Sequence, residues 1–120
     1  MNDIKMGEGE RRFADIIWNS EPISTSNLVA ECQNLLGWKR TTTYTVLKRL
    51  SEKGLFQNID GEVTSLISKE EYFSAKSEKF VEDTFNGSLP AFIAAFTSRK
   101  ALSDREIDEI RKMIDGARKD

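Results

Sequence analysis

One segment constrains this chain more than any other: Trp38 to Gly54, read as a single helix with two unlike faces. At about 100° per residue, Thr43, Val46, Leu47 and Leu50 share one arc, the spacing of a helix laid on a core. Thr41, Thr45, Lys48 and Glu52 fall on the opposite side, flanked by Thr42, Tyr44 and Arg49. That outer face is mostly hydroxyls and cations, with Lys39, Arg40, Lys48, Arg49 and Lys53 set against the single acid Glu52. Hydroxyls and cations near a helix start are the groups that contact phosphates and base edges in a major groove. A solvated surface helix has the same composition, so the segment alone leaves both readings open.

The flanking sequence says what the helix is mounted on. A first helix is predicted from Glu8 to Asn19, with Phe13, Ile16 and Ile17 at i, i+3, i+4 and Trp18 beside them. Asn19-Ser20-Glu21-Pro22 breaks it. Ser24 is placed to cap a second helix through Leu36, whose Leu28, Val29, Cys32, Leu35 and Leu36 form an apolar stripe. Gly37 ends that helix, and the next begins within a few residues, the pattern of a helix-turn-helix. Gly54 closes the third helix after Lys53. Leu55 to Ile59 and Val63 to Ile67 then read as two strands about Asp60-Gly61-Glu62, a tight hairpin signal. Three helices and a hairpin predict a winged helix over residues 1–67, although such a hairpin can also serve only as a sheet edge covering the core.

From Ser68 the pattern is helical alone. Ser68-Lys69-Glu70-Glu71 is a capping box, and the helix it opens carries Phe73, Phe80, Val81 and Phe85 to about Asn86-Gly87. A short helix from Leu89 to Thr97 holds Leu89, Phe92, Ile93 and Phe96, with Pro90 tolerated in its first turn. Ser103-Asp104-Arg105-Glu106 opens a last helix with Ile107, Ile110, Met113 and Ile114 on one face. The expected fold is therefore mainly α with a small β-hairpin: a winged helix-turn-helix followed by a helical element over 68–120. That element has too few pieces to bury its apolar residues within one chain. Such helices usually pair about a twofold axis, so Phe80, Phe85, Leu89, Phe92, Ile93, Phe96, Ile107, Ile110, Met113 and Ile114 are the expected homodimer contacts.

Composition excludes most chemistry. The chain of 120 residues has no histidine and one cysteine, so a His-based general base and a thiolate zinc cluster are both excluded. No Gly-rich phosphate loop is present, and the carboxylates lie among lysines and arginines on helical faces. Cys32 reads as a half-buried thiol. The chain is expected not to be an enzyme and to hold no metal and no cofactor. No run has the length of a membrane-spanning helix, and Met1 to Lys5 lacks a signal peptide's apolar core, so a cytoplasmic location is expected. The net charge of −2 does not favour nucleic acid. Residues 1–67 carry eight Lys/Arg against nine Asp/Glu, and the rest ten against eleven, so any DNA surface must be a local patch.

The chain resembles the penicillinase-repressor family of bacterial transcription regulators, the BlaI/MecI/CopY group. The matching pieces run from Glu10 through Ile16-Ile17-Trp18 to Trp38, Thr42, Thr45, Leu47, Arg49-Leu50 and Lys53-Gly54. They continue with Phe85-Asn86-Gly87-Ser88-Leu89, Ala94-Ala95-Phe96, Leu102-Ser103 and Glu106-Ile107 to Ile114. The resemblance implies a homodimer on an inverted-repeat operator with TACA/TGTA-type half-sites, blocking transcription. It also implies, for members tied to β-lactam sensing, release by a metalloprotease that cuts between Asn and Phe in the short penultimate helix. The matching pair here is Ala95-Phe96, which leaves a regulatory protease unsupported. Copper-responsive members carry a cysteine-rich tail, whereas this sequence reads Arg118-Lys119-Asp120 there. Family wings commonly carry basic residues; here the tip is Asp60-Gly61-Glu62, which phosphate would repel.

Taken together these features predict a double-stranded DNA partner. Thr41, Thr42 and Tyr44 are expected at phosphates near the helix start, with Lys39 and Arg40 adding charge. Thr45 and Lys48 are expected at base edges, a thymine methyl and a guanine respectively, and Arg49 at a phosphate. The acidic wing and negative net charge fit an alternative: a winged-helix module that binds a protein partner without specific DNA binding.

Overall fold

The computed structural model describes residues 5–118. In chain order the elements are α1 (Glu8–Ser20), β1 (Ile23–Ser24), α2 (Thr25–Leu36), α3 (Arg40–Glu52), β2 (Phe56–Ile59), β3 (Glu62–Ser65), α4 (Lys69–Phe85), α5 (Leu89–Thr97) and α6 (Asp104–Gly116). The fold is mainly helical with a small antiparallel sheet, a winged helix by architecture. The element ends follow local chemistry. Ser24 Oγ accepts the Asn27 N–H at 3.1 Å and starts α2. Gly37 sits at φ 69°, where a side chain would be strained, so the chain can leave α2 and re-enter a helix by Arg40. The Trp38 N–H returns to the Cys32 carbonyl at 3.2 Å, closing that turn.

The sheet corrects the expected hairpin in two ways. Asp60 and Gly61 both have positive φ, 52° and 79°, so the turn has two residues and Glu62 belongs to the strand, paired with Ile59. A third strand is also present. β1 pairs antiparallel with β3, Ile23 opposite Val63, giving the order β1-β3-β2. The Thr25 N–H donates to the Gly61 carbonyl at 2.9 Å, tying the wing tip to the start of α2. Two residues of strand have no periodicity of their own, and only their pairing defines them.

Phe13, Ile17, Leu28, Leu50, Leu55, Phe56 and Val63 are fully buried and join α1, α2, α3 and the sheet in one core. Thr43, Val46, Leu47 and Leu50 of α3 are all buried, as the helical arc requires. Phe13 stacks on Trp38 with ring centroids 5.6 Å apart and meets Phe56 edge-on at 6.4 Å. Trp18 donates its indole N–H to the Ile67 carbonyl at 3.0 Å. Tyr72, outside the expected apolar positions of α4, is buried in this core at 5.7 Å from Trp18. The chain divides into two compact units between Ser77 and Glu78, within α4. The first turns of that helix, beginning just after Ile67, thus pack with the N-terminal unit.

The second unit is built differently. Ser88 Oγ caps α5 by accepting the Ala91 N–H at 3.1 Å, and Ser103 with Glu106 forms a capping box on α6. Phe85 and Phe92 lie 5.7 Å apart, Phe80 is 6.0 Å from each, and Phe96 is 6.2 Å from Phe92. Yet no described residue from 78 to 118 is buried. Phe80, Leu89, Ile93, Phe96, Met113 and Ile114 are exposed, Met113 by 69%.

Candidate nucleic-acid interface

The site begins with how α3 is held. Its inner arc lies on the core, and Trp38, stacked on Phe13, pins the residue pair that precedes it. The Arg12 guanidinium donates to the Leu35 carbonyl at 3.3 Å and ties α1 to the end of α2. The outer arc of α3 is thereby turned to solvent: Lys39, Arg40, Thr41, Thr42, Tyr44, Thr45, Lys48 and Arg49 are all exposed. The sequence-predicted contact residues therefore share one surface.

The start of α3 has its own character. Its N-cap residue, Lys39, makes no side-chain capping bond, and its first turn holds no acid. Each other helix begins with a side-chain cap, an acid in the first turn, or both. Among the described residues, no side-chain cap and no first-turn acid thus compensates the first-turn N–H groups of α3 and the positive end of its dipole, an arrangement suited to an anion.

Individual side chains are not equally free. Thr45 donates its hydroxyl to the Thr41 carbonyl at 2.9 Å, which leaves its methyl group and one acceptor oxygen for an outside partner. The Arg40 guanidinium lies 5.4 Å from the Tyr44 ring centre, a cation–π pair one turn apart. Lys48 makes no hydrogen bond or ion pair within the described residues. Lys53 donates to the Lys5 carbonyl at 3.3 Å. Arg49 gives its Nε–H to Glu10 Oε2 at 3.0 Å, so the cation expected at a phosphate is already tied to an acid of α1.

Glu10 is a site residue that sequence reasoning missed as such. Burial works to raise its carboxyl, but the Gly7 N–H and the Arg49 guanidinium outweigh that and hold it below the usual carboxylate range. Nothing in the spacing of two residues 39 apart signals the pair. On the wing, Asp60 and Glu62 are exposed, while Gln57 donates to Thr64 Oγ1 at 3.1 Å. Burial pushes the Cys32 thiol up, away from nucleophile chemistry. Among the described residues no cluster of acids and thiols is placed to hold a metal ion, and no helix is long and apolar enough to cross a membrane.

A helix-turn-helix followed by a paired β-hairpin defines the winged-helix class of protein. The sequence model of the penicillinase repressor family matches residues 6–116, and the chain belongs to that family. It is 28% identical over 115 residues to the penicillinase repressor of Bacillus licheniformis, covering 92% of this chain and 90% of that protein. It is 25% identical over 114 residues to the methicillin resistance regulatory protein MecI of Staphylococcus aureus strain Mu50, covering 92% and 93%. The penicillinase repressor of Staphylococcus aureus is 25% identical over 116 residues, covering 93% and 90%.

Proposed function

We propose that this protein is a homodimeric transcriptional repressor that binds an inverted-repeat operator, with α3 of each protomer in a major groove. The observation that carries the reading is the solvent-facing arc of α3, from Arg40 to Lys48, beginning at an uncapped helix end. Relatives that match over nearly their whole length are named as repressors and a resistance regulator. Thr41, Thr42, Tyr44 and the first-turn N–H groups fix register on phosphates, and Lys39 and Arg40 add charge. Thr45, its hydroxyl turned onto its own helix, meets a thymine methyl, and Lys48 meets a guanine edge. Residues up to Ile67 supply the DNA contacts and those after it the dimer.

Dimerisation is supported by the second unit, where Phe80, Leu89, Ile93 and Phe96 stay exposed in a single chain. A second copy would cover them and would give the assembly two copies of α3, one for each half of an inverted repeat. The exposed Asp60 and Glu62 support the competing reading, a module that docks on a protein. One titration separates the two: labelled inverted-repeat duplex at several salt concentrations. Affinity that depends on sequence and falls steeply with salt is expected. Equal, weak binding to every duplex would sink the repressor reading and leave the protein-docking one.

A further inference from the structure

Arg49 poses a problem for any account in which α3 grips DNA. It is exposed on the outer side of the helix, yet its guanidinium is bonded to a carboxylate. The details of that bond matter. Only Nε of Arg49 reaches Glu10, at 3.0 Å; the terminal nitrogens of the fork make no bond within the described residues. Glu10 in turn is held from the other side, because its Oε1 accepts the Gly7 N–H at 3.1 Å and closes the first turn of α1. The Glu10 side chain is 20% exposed and that of Arg49 51%, so the acid is inside and the cation outside. A carboxylate fixed at both oxygens is a poor competitor for solvent-borne ions and a good anchor.

We propose that Glu10 is a positioning residue for DNA binding: it clamps Arg49 by Nε and presents the terminal guanidinium nitrogens to a backbone phosphate. This rests on the reading of α3 as the DNA-contacting helix. A free arginine loses many rotamers when it meets a phosphate, whereas a clamped one has lost them on folding. The guanidinium can serve both partners at once because it carries five donors in a rigid fork, and Nε together with the terminal pair points to different sides. Lysine has no equivalent second donor set.

The test is a double-mutant cycle read by anisotropy on an inverted-repeat duplex selected from a random pool, over a range of salt. Glu10→Gln keeps an oxygen for the Gly7 N–H and removes the charge that holds Arg49. It is expected to weaken binding about 5-fold, a share of what a charge-assisted bond contributes. Arg49→Ala is expected to weaken it on the order of 10-fold or more and to flatten the log–log salt slope by about 0.9. In the Arg49→Ala background, Glu10→Gln should do nothing further. Arg49→Lys, which keeps charge without Nε, should lose about as much as Glu10→Gln and should be indifferent to it.

Tighter binding by Glu10→Gln would overturn the proposal, because Glu10 would then merely compete with phosphate. Equal weakening in both backgrounds would also overturn it, because Glu10 would then act through the α1 cap. Should Glu10→Gln fail to fold, Arg49→Lys decides alone: wild-type affinity in that variant overturns the proposal. A wild type that binds no duplex in a salt-dependent way removes the DNA reading itself. A wild type that binds normally while the cycle shows no coupling removes only the role of Glu10.

Discussion

The two units of this chain use similar proportions of apolar residues to different ends. In the N-terminal unit Phe13, Phe56 and Tyr72 are buried almost completely, and every element contributes to one core. In the C-terminal unit Phe80, Phe85, Phe92 and Phe96 touch one another, yet none is buried. The first unit closes on itself; the second leaves its apolar side chains outside any core. The contrast separates residues packed in a core from residues left at the surface, although helical spacing treats both alike.

The contrast breaks most visibly at its buried end. Phe13→Ala should cost about 3–5 kcal/mol, measured by denaturant unfolding, since Phe13 is fully buried between Trp38 and Phe56. If Phe92→Ala costs as much under conditions where the chain is monomeric, the distinction between the units fails. Next in size is Ile93→Glu, which puts a charge on the exposed α5 face and should weaken self-association by about 2–4 kcal/mol. Sedimentation velocity would read this, and far-UV melting should report the N-terminal unit intact. An unchanged association constant would show that the dimer uses another surface.

Lys48→Ala sharpens the comparison from a third side, because Lys48 belongs to neither core. It should cost about 1–3 kcal/mol in operator affinity and relax preference at one base pair, with unfolding midpoints unchanged. Ser24→Ala removes the cap of α2 and should cost about 1 kcal/mol of stability, confined to the N-terminal unit. The smallest effect is in pH. The folded Glu10 carboxyl lies below its ordinary value of 4.5, so its contribution is present above that value and is lost as pH falls through the folded value. Acid unfolding of Glu10→Gln should show a shallower pH dependence in that window; an identical profile would remove Glu10 from the acid response.

Much of the fold was legible because its signals are local. Ser24, Gly37, Gly54 and the Ser103–Glu106 box act within a turn of themselves, and the arc of Thr43, Val46, Leu47 and Leu50 needs only helical geometry. The outer face of α3 was legible for the same reason, as the complement of that arc. What escaped was pairwise and distant. β1 exists only because Ile23 lies against Val63; Tyr72 is buried only because α4 starts beside Trp18. The wing turn is one residue shorter than the local sequence suggests because Glu62 becomes a strand residue only by pairing with Ile59.

Taken alone, then, the sequence determined the order of helices, their caps, the tight turn that mounts α3, and which residues that helix turns outward. These follow from backbone dihedrals and side chains a few residues apart. The tertiary structure alone decided which exposed cations are free and which are held. Lys48 and Arg49 are neighbours with the same charge, yet only Arg49 lands beside a carboxylate on α1. It also decided which phenylalanines are core and which are surface. Burial is a property of what packs opposite a residue, and no periodicity along one chain specifies that.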